Sequence, residues 1–414
     1  MDKFFPIKVD PACKLKWSWS TIRLRSGTSS SCHRVQDVPV SSFDNFHNTP
    51  EIIDDREKML AGEWPTGRGC EFCKVVEDAG GTSDRMFHNS IPNQYPTELD
   101  QDATAVNVTP TILEVYFDNV CNMSCLYCHS GFSSKIEAEN NRNGRFESQG
   151  VVIENRTKFT DENFNEYTEQ FWQWMQKNST QLSRFHFLGG EPFFQPQFDQ
   201  FLEFLENSNN PNLEFNVITN LKVKTKKLKD YIQRIKCLVD QNKIKRLDIT
   251  ASIDCFGDAG EYVRNGLDLE EWKRNFTYLV SEEWIVLNIN QTISCLTIKT
   301  VPELIEFINQ FDGRDIGHYF GTTVKTHSFL HPDIFSYEVF KEDFDIILGC
   351  MKEDTWQQKA AINNMQGMIA KLQKMQYNNK TEIDKLVVFL DEMDRRRGTD
   401  WRKTFPWLEE YVVY

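Results

Sequence analysis

Short apolar runs alternate with longer amphipathic stretches from Thr111 to about residue 332. The apolar runs have the length of buried strands, and the stretches between them repeat apolar side chains at helical spacing, as Phe164, Tyr167 and Phe171 do. About six strand–helix units in succession are typical of an α/β fold with a parallel sheet. The predicted strands are 111–118, 184–188, 213–219, 246–253, 285–294 and 319–326, and the predicted helices lie near 161–177, 197–207, 225–240, 260–280 and 301–311.

The segments outside these units have different patterns. Residues 1–88 carry short strand-like pieces such as 17–24 with little helical periodicity, and the prolines within 89–110 are typical of a linker. Between the first strand and the first helix lies a polar insertion, roughly 130–158, for which a functional lid and a disordered loop are both open. The predicted organisation is an N-terminal module at 1–88, a linker at 89–110, the strand–helix units at 111–332 and a helical C-terminal region at 333–414.

Composition and charge exclude several classes of protein. The 414 residues include 31 Phe and 10 Trp, which is incompatible with wholesale disorder. The net charge of −14 argues against a broad nucleic-acid surface, and the run Arg395-Arg396-Arg397 is predicted to be a solvated helix end. No apolar run approaches the roughly 18 to 20 residues of a membrane span, and the first residues lack the pattern of a signal peptide. We therefore expect a cytoplasmic protein without a membrane or nucleic-acid partner.

Eleven cysteines in a reducing compartment indicate ligands or redox groups rather than disulfides. Cys121, Cys125 and Cys128 follow the first predicted strand, at the rim where parallel α/β folds build their sites. An iron–sulfur cubane held by three thiolates leaves one iron open to another molecule, whereas structural zinc is normally closed by four ligands. A zinc site completed by His129 or by a distant residue is the alternative.

The spacing Cys-x3-Cys-x2-Cys, with Tyr127 just before the last cysteine, resembles the hallmark of the radical S-adenosylmethionine (SAM) superfamily. The resemblance implies that the three cysteines hold a [4Fe-4S] cluster that binds SAM. Gly189-Gly190-Glu191, after the second strand, resembles the family motif that receives the amino group of SAM. Weaker similarities imply that further residues contact the ribose, carboxylate or adenine of SAM: Asn220, Ser252, Asp254, Arg264, Tyr127 and Leu330.

Each weaker match has a simpler interpretation. Asn220 can be a turn residue, Ser252 and Asp254 a helix cap, and Arg264 a solvated side chain. Tyr127 and Leu330 can be core residues.

The resemblance further implies a partial (β/α)6 TIM-type barrel whose wide lateral opening would suit a peptide or another substrate. One electron, from a donor such as flavodoxin or ferredoxin, would cleave SAM to methionine and a 5′-deoxyadenosyl radical. That radical would abstract a hydrogen atom from a peptide or small-molecule substrate. The protein is thus expected to be an oxidoreductase or maturase.

A second set of cysteines lies in the N-terminal module. Four thiols, at Cys13, Cys32, Cys70 and Cys73, suit one closed tetrahedral site, and from spacing alone a structural zinc ribbon is at least as good an interpretation. The order Cys-x13-Gly-x4-Cys followed by Cys-x2-Cys resembles the SPASM/twitch modules that carry an auxiliary [4Fe-4S] cluster. The later Cys-x5-Cys-x3-Cys of a full SPASM module is missing, which favours the shorter twitch form, and here the module precedes the strand–helix units. The competing function is a zinc-binding structural or protein-interaction module without catalysis.

The remaining cysteines, Cys237, Cys255, Cys295 and Cys350, are predicted to be packing residues. Cys255 also follows a strand end, from which it could face a substrate. His186, on the second predicted strand, could line a substrate cavity or be a core histidine whose hydrogen bonds are satisfied.

Overall fold

The computed structural model describes residues 11–90, 105–154, 162–311, 313–324 and 326–412, with only the backbone described at 319–323. Most of the predicted linker and the start of the N-terminal module lie outside these ranges. None of the helices in the described ranges combines the length and apolar character that crossing a membrane requires.

A parallel sheet forms the centre of the fold, as the alternating pattern predicted. Its order is β11-β10-β9-β8-β7-β4-β1-β2-β3, and every pair from β11 to β1 is parallel. A separate antiparallel hairpin is formed by β5 and β6. The strands are β1 Trp19–Arg23, β2 Thr28–Ser30, β3 Val38–Pro39, β4 Ile112–Tyr116, β5 Phe146–Ser148, β6 Val151–Ile153, β7 Arg184–Leu188, β8 Glu214–Thr219, β9 Arg246–Ser252, β10 Val286–Ile293 and β11 Ile316–Thr323.

The N-terminal module shares this sheet. Strand β1 pairs in parallel with β4 from Trp19 opposite Ile112 to Arg23 opposite Tyr116. The hairpin of β2 and β3 then continues the sheet in the antiparallel direction. The module boundary at 1–88 remains a prediction, but the sheet continues across it through the pairing of β1 with β4. This pairing satisfies backbone groups at an edge of β4 that would otherwise be exposed.

Helices pack around the sheet and fill the C-terminal region, as predicted for 333–414. Short 3-10 turns connect several elements, at Leu24–Ser26, Ser179–Gln181, Pro192–Phe194, Ile298–Thr300, Ser328–Leu330, Pro332–Ile334, Tyr337–Val339 and Pro406–Tyr411. The α-helices are α1 Leu15–Ser18, α2 Pro50–Leu60, α3 Glu71–Asp78, α4 Asp84–Ser90, α5 Ser134–Asn143, α6 Phe164–Asn178, α7 Pro196–Asn207, α8 Thr225–Asp240, α9 Gly257–Val263, α10 Leu269–Ser281, α11 Val301–Asn309, α12 Lys341–Cys350, α13 Trp356–Leu372, α14 Lys380–Arg397 and α15 Trp401–Thr404.

Two predictions about helices were wrong. The module at 1–88 contains α2 to α4, although its sequence shows little helical periodicity; α2 begins with a Thr49 cap and a proline at its first position. The single helix predicted at 260–280 is divided into α9 and α10. Gly266 has a φ of 96° between them, and the Asp268 side chain caps α10 by accepting from the Glu271 N–H. Local turn and cap chemistry therefore overrides the amphipathic pattern.

The polar insertion is folded over 130–154. Its helix α5 is capped by Ser133, which accepts from the Ile136 N–H, and ends at Gly144 with a φ of 75°. The hairpin β5–β6 follows directly. The disordered alternative does not hold for this described part of the insertion.

The prediction of a solvated helix end at Arg395-Arg396-Arg397 was wrong for the last two residues, whose side chains are buried, while Arg395 is exposed. Arg396 donates to Glu392 Oε1 at 2.6 Å and to Asn140 Oδ1 at 3.0 Å. Arg397 donates through Nε and Nη2 to the two carboxylate oxygens of Glu139, at 3.0 and 3.1 Å. These arginines join the C-terminal helix to the insertion helix α5.

Ile22 tests whether the N-terminal module unfolds together with the main sheet. It is fully buried on β1, in the same hydrophobic cluster as Val115 of β4 and Phe187 of β7. Ile22→Ala should lower the free energy of unfolding by about 2–5 kcal/mol, because it leaves a cavity in this core. Urea unfolding followed by circular dichroism and fluorescence should show the loss in the main transition.

The control is Val75→Ala, on the exposed side of α3, whose free energy of unfolding should stay within about 0.5 kcal/mol of wild type. An unchanged main transition preceded by a separate early one would instead indicate an independent N-terminal domain.

Candidate active site

The loop that carries Cys121, Cys125 and Cys128 follows β4 and is held by backbone bonds to other segments. On one side, the N–H groups of Gly190 and Glu191 donate to the carbonyls of Asp118 and Val120, at 3.0 and 2.8 Å. On the other, the N–H groups of Ser124 and Leu126 donate to the carbonyls of Asn265 and Val263, at 2.9 and 2.8 Å. The cysteine loop is thus fixed between the Gly-Gly turn after β7 and the break between α9 and α10.

The loop faces a cavity of about 300 Å³ at the C-terminal ends of the strands. Parallel strands bring the residues that follow them to this same edge of the sheet. The structure therefore brings together most of the candidate residues named from the sequence. Those lining the cavity are Cys121, Cys125, Cys128, Tyr127, Gly189, Gly190, Asn220, Ser252 and Arg264.

The three thiols of the cysteine loop all have raised pKa values. Burial, reinforced by the neighbouring cysteines, raises the pKa of Cys121 and Cys128 to about 12, and burial also raises the pKa of Cys125. The thiols therefore hold their protons at neutral pH, and a metal centre would have to displace them, as it does in thiolate sites. Within the described ranges, no group of three His, Cys, Asp or Glu side chains is arranged so that it could hold a metal ion. The fit of these cysteines to a metal centre therefore depends on the fact that all three line one cavity.

Gly189 and Gly190 are required by packing against the cysteine loop. A Cβ on Gly190 would collide with the carbonyl oxygens of Val120 and Asn119. Gly189 has a φ of 131°, and a Cβ there would meet the Asp118 carbonyl and the Gln195 side chain. The two glycines thus let the turn approach the loop that carries the first cysteine, in addition to lining the cavity.

Glu191 is buried behind the cavity wall. Its carboxylate accepts from the Thr219 hydroxyl at 2.6 Å and from the Asn220 N–H at 2.7 Å, and more weakly from the Phe193 N–H. Burial raises the pKa of this carboxyl to about 7. The contacts fix the end of β8 and so position Asn220. That Glu191 itself receives the amino group of SAM stays a prediction, which this geometry does not favour.

A buried polar network connects the cysteine loop to β9, β10 and α9. The Tyr127 hydroxyl donates to Asp254 Oδ2 at 2.6 Å and accepts from Arg264 Nη1 at 2.7 Å, while Arg264 Nη1 lies 3.2 Å from Asp254 Oδ1. The Thr292 N–H also donates to Asp254 Oδ1, at 3.0 Å. Burial raises the pKa of Tyr127 well above its usual value. Asp254 lies behind the cavity wall as the anchor of this network rather than as a helix cap.

Arg264 is the strongest candidate for binding an anion in this cavity. Its side chain is about 8% exposed, so the prediction of a solvated arginine does not apply. It lines the cavity, and its Nε is a buried donor without a hydrogen-bond partner. A buried unpaired N–H is costly, so a ligand carboxylate at this position would satisfy it.

Three further residues named from the sequence, Leu330, Cys255 and His186, do not line the cavity. Leu330 is 1% exposed within the C-terminal hydrophobic cluster and does not line the cavity, so its contact with adenine stays a prediction without geometric support. Cys255 is fully buried in the same cluster, which agrees with a packing role. His186 lies on β7 with its ring against Trp19, and the cavity does not include it.

The four N-terminal cysteines converge on a second, much smaller cavity of about 20 Å³. Cys13, Cys32 and Cys70 are buried and Cys73 is partly exposed. Burial raises the pKa of Cys13 to about 12 and that of Cys32 to about 11. Lys16 also lines this cavity, and its ammonium pairs with Asp55, so both members of that ion pair are buried beside the thiols. Four thiols in one place suit a single closed site for zinc or an iron–sulfur cluster.

Gly27, which completes the predicted cysteine spacing, does not line the small cavity. It has a φ of 64°, and a Cβ there would press on the Tyr167 ring. Gly27 therefore shapes the connection to α6 rather than the thiol site.

The sequence interpretation missed two aromatic residues of the larger cavity, Tyr116 and Phe132. Their rings lie 5.2 Å apart, and the Arg23 guanidinium lies 4.9 Å from the centre of the Tyr116 ring. Tyr116 ends β4, so its position at the strand end was an available signal. Phe132 lies in the insertion, where no periodic pattern identifies it.

Comparisons with known proteins give few matches. No protein-family model and no curated protein matches the chain. Structures of Streptococcus suis SuiB bound to the precursor peptide SuiA and to S-adenosylmethionine are similar at 11% identity, with TM-scores of 0.34 and 0.35. They cover 78% and 79% of this chain, which spans 66% of the SuiB chains. A structure of TYW1 with a lysine-pyruvate adduct bound covers 58% of this chain and 69% of its own, at 14% identity and a TM-score of 0.27. These likenesses by themselves assign neither a family nor an activity.

Glu191 gives a test through the pH dependence of stability. Its pKa is raised to about 7 in the folded protein, because burial disfavours the ionised carboxylate. The protonated carboxyl therefore stabilises the fold most below pH 4.5, where the group is protonated in both the folded and the unfolded state. Relative to Glu191→Gln, wild type should lose on the order of 3 kcal/mol as the pH rises from about 4.5 to above 7. Urea unfolding of both proteins between pH 4 and 8 measures this difference. A difference that does not change with pH would contradict the assignment, and Glu203→Gln on the exposed face of α7 serves as control.

Proposed function

We propose that this protein is a radical SAM enzyme that cleaves SAM reductively and uses the resulting radical to abstract a hydrogen atom from its substrate. The observation that carries the proposal is one cavity lined by three cysteines of Cys-x3-Cys-x2-Cys spacing together with a Gly-Gly turn, Asn220, Ser252 and Arg264. The zinc alternative gives no role to this combination of thiols with an unsatisfied buried arginine. The sheet order supports a partial (β/α)6 barrel, here extended at one edge by β1.

The residues of the cavity divide between two tasks. Cys121, Cys125 and Cys128 would hold a [4Fe-4S] cluster through three of its irons. Arg264 would bind the carboxylate of SAM, and Asn220 and Ser252, at the ends of β8 and β9, would bind its polar groups. When bound, the cluster supplies the electron that breaks a carbon–sulfur bond of SAM to give methionine and a 5′-deoxyadenosyl radical.

The chain itself orients the ligands and excludes water. The Tyr127–Asp254–Arg264 network keeps the guanidinium at the cavity wall, since Tyr127 and Asp254 both bond to its Nη1. The glycine turn fixes the cysteine loop from the opposite side. Shielding from water protects a carbon radical from side reactions.

The substrate would enter from the side of the N-terminal module. A cavity of about 320 Å³ lies between the module and the cysteine loop and shares Tyr116 and Phe132 with the cavity that the three cysteines line. Arg23, Arg25 and Asp37 of the module line it. Strand β1 covers the edge of β4 beside this cavity. A peptide or a small molecule is the proposed substrate.

The N-terminal cysteines are proposed to hold an auxiliary [4Fe-4S] cluster in a twitch-like module. The shared cavity of four buried or partly buried thiols supports one four-ligand site, and it suits zinc equally in donor chemistry. An auxiliary cluster would accept an electron from a substrate radical, which makes the net reaction an oxidation. A cytoplasmic location and a flavodoxin or ferredoxin as electron donor complete the proposal.

Iron and acid-labile sulfide contents test the two sites. After anaerobic reconstitution we expect about eight irons per chain, because each cubane contains four. Replacing Cys121, Cys125 and Cys128 by alanine should lower this to about four, and replacing Cys13, Cys32, Cys70 and Cys73 should do the same. Replacing Cys237 and Cys350, which line neither thiol cavity, is the matched control and should leave iron unchanged. Zinc without iron would establish the binding-module alternative.

Arg264 tests the cofactor assignment separately from the cluster. Arg264→Lys should weaken SAM binding by about tenfold, because a point charge replaces a guanidinium that has a spare donor. Equilibrium dialysis with reconstituted protein measures the affinity, and 5′-deoxyadenosine formed with dithionite measures cleavage. Arg274→Gln on the exposed face of α10 should change neither. Unchanged SAM affinity in Arg264→Lys at full iron content would refute the role of Arg264.

A further inference from the structure

A second cavity of about 290 Å³ lies on the other side of the cysteine loop. Cys125 and Cys128 line both this cavity and the larger one described above. Its other walls come from the insertion, through α5 and the hairpin β5–β6, and from α14 of the C-terminal region. The sequence leaves the role of the insertion open and indicates no role for the C-terminal region. We name it the insertion cavity.

The walls of the insertion cavity are mostly apolar. A pocket with apolar walls and a few polar groups is typical of a site for a small organic group. Its apolar lining residues are Leu126, Ile136, Val152, Ile153, Phe389 and Met393.

Arg397 supplies an unsatisfied cationic donor at this cavity. Its side chain is about 6% exposed, and Nε and Nη2 are both used by Glu139. Its Nη1 is buried and has no hydrogen-bond partner. A guanidinium with a free N–H beside apolar walls calls for an anionic acceptor, and a carboxylate is the acceptor whose geometry matches it best.

His129 also lines the insertion cavity, and its Nδ1 accepts from the Gly131 N–H at 3.2 Å. The carboxylates nearby do not oppose an anion strongly, because Glu139 is paired with Arg397 and Glu154 lies near Arg145.

We propose that the insertion cavity binds a carboxylate attached to an apolar group, with Arg397 as the residue that recognises the carboxylate. Two sources share this chemistry: the C-terminal residue of a peptide and a small carboxylic acid. If the proposed function holds, the bound group belongs to the substrate or to a regulator that contacts the cysteine loop. The binding itself does not depend on iron or SAM, so it can fail or succeed independently of the proposed function.

The experiment measures binding of three probes to the full chain by ligand-detected NMR and titration, before and after reconstitution. N-acetyl-L-phenylalanine presents a peptide terminus, 4-phenylbutyrate presents a small acid, and N-acetyl-L-phenylalanine amide lacks the carboxylate. We expect at least one acid to bind about tenfold more tightly than the amide, because only the acids can accept a charge-assisted hydrogen bond. Tighter binding of N-acetyl-L-phenylalanine assigns a peptide end, and tighter binding of 4-phenylbutyrate assigns a small acid.

Matched variants connect the binding to this cavity. Arg397→Gln should abolish the preference for the acid, whereas Arg395→Gln, on the same helix but 59% exposed, should keep it. Because Arg397→Gln leaves Glu139 unpaired, a second variant fills the cavity instead. Val152→Trp should block all probes, and Val286→Trp, at an equally exposed strand valine outside the cavity, should not.

Equal affinity for acid and amide in wild type would overturn the proposal. So would an acid preference that survives both Arg397→Gln and Val152→Trp.

Discussion

The candidate site depends on how the cysteine loop is held. The loop that carries Cys121, Cys125 and Cys128 lies outside the sheet, so its backbone must find partners in distant segments. It finds them in the Gly-Gly turn after β7 and in the break after α9, which bond to it from opposite sides. Gly190 is needed because any side chain there would collide with the loop backbone. The geometry of the thiols is therefore determined by backbone contacts that only the complete sheet can assemble.

The same arrangement leaves charge near the loop incompletely compensated. Asp254 is fully buried, Arg264 is buried with it and Tyr127 is partly buried, so removing one member of this network would destabilise the fold. Yet Arg264 Nε has no partner. An open cationic donor at the cavity wall, beside an otherwise satisfied network, supports the proposal that this cavity binds an anion. This support is independent of the identity of any metal that the thiols would hold.

Sequence patterns were sufficient to predict the position of a residue that directly follows a strand. Asn220 and Ser252 reach the predicted edge because parallel strands end together, whereas Arg264 reaches the same cavity from the end of α9. Roles that depend on packing between distant segments could not be predicted. Nothing in residues 17–24 indicates that β1 pairs with β4, since the sequence of a five-residue strand does not identify the strand with which it pairs. Likewise, the carboxylate of Glu191 could face the cavity or the end of β8, and only the folded chain distinguishes these.

The C-terminal region has a structural connection to the site that its sequence does not indicate. A run of three arginines at a helix end is normally solvated, but burial against α5 makes Arg396 and Arg397 hydrogen-bond donors to the insertion. Helix α5 begins directly after the cysteine loop, and the Ser133 hydroxyl donates to the Met123 carbonyl within that loop at 2.7 Å. Displacing α14 would therefore disturb α5 and, through Ser133, the backbone between the first two cysteines. The C-terminal region thus supports the cysteine loop through helix α5.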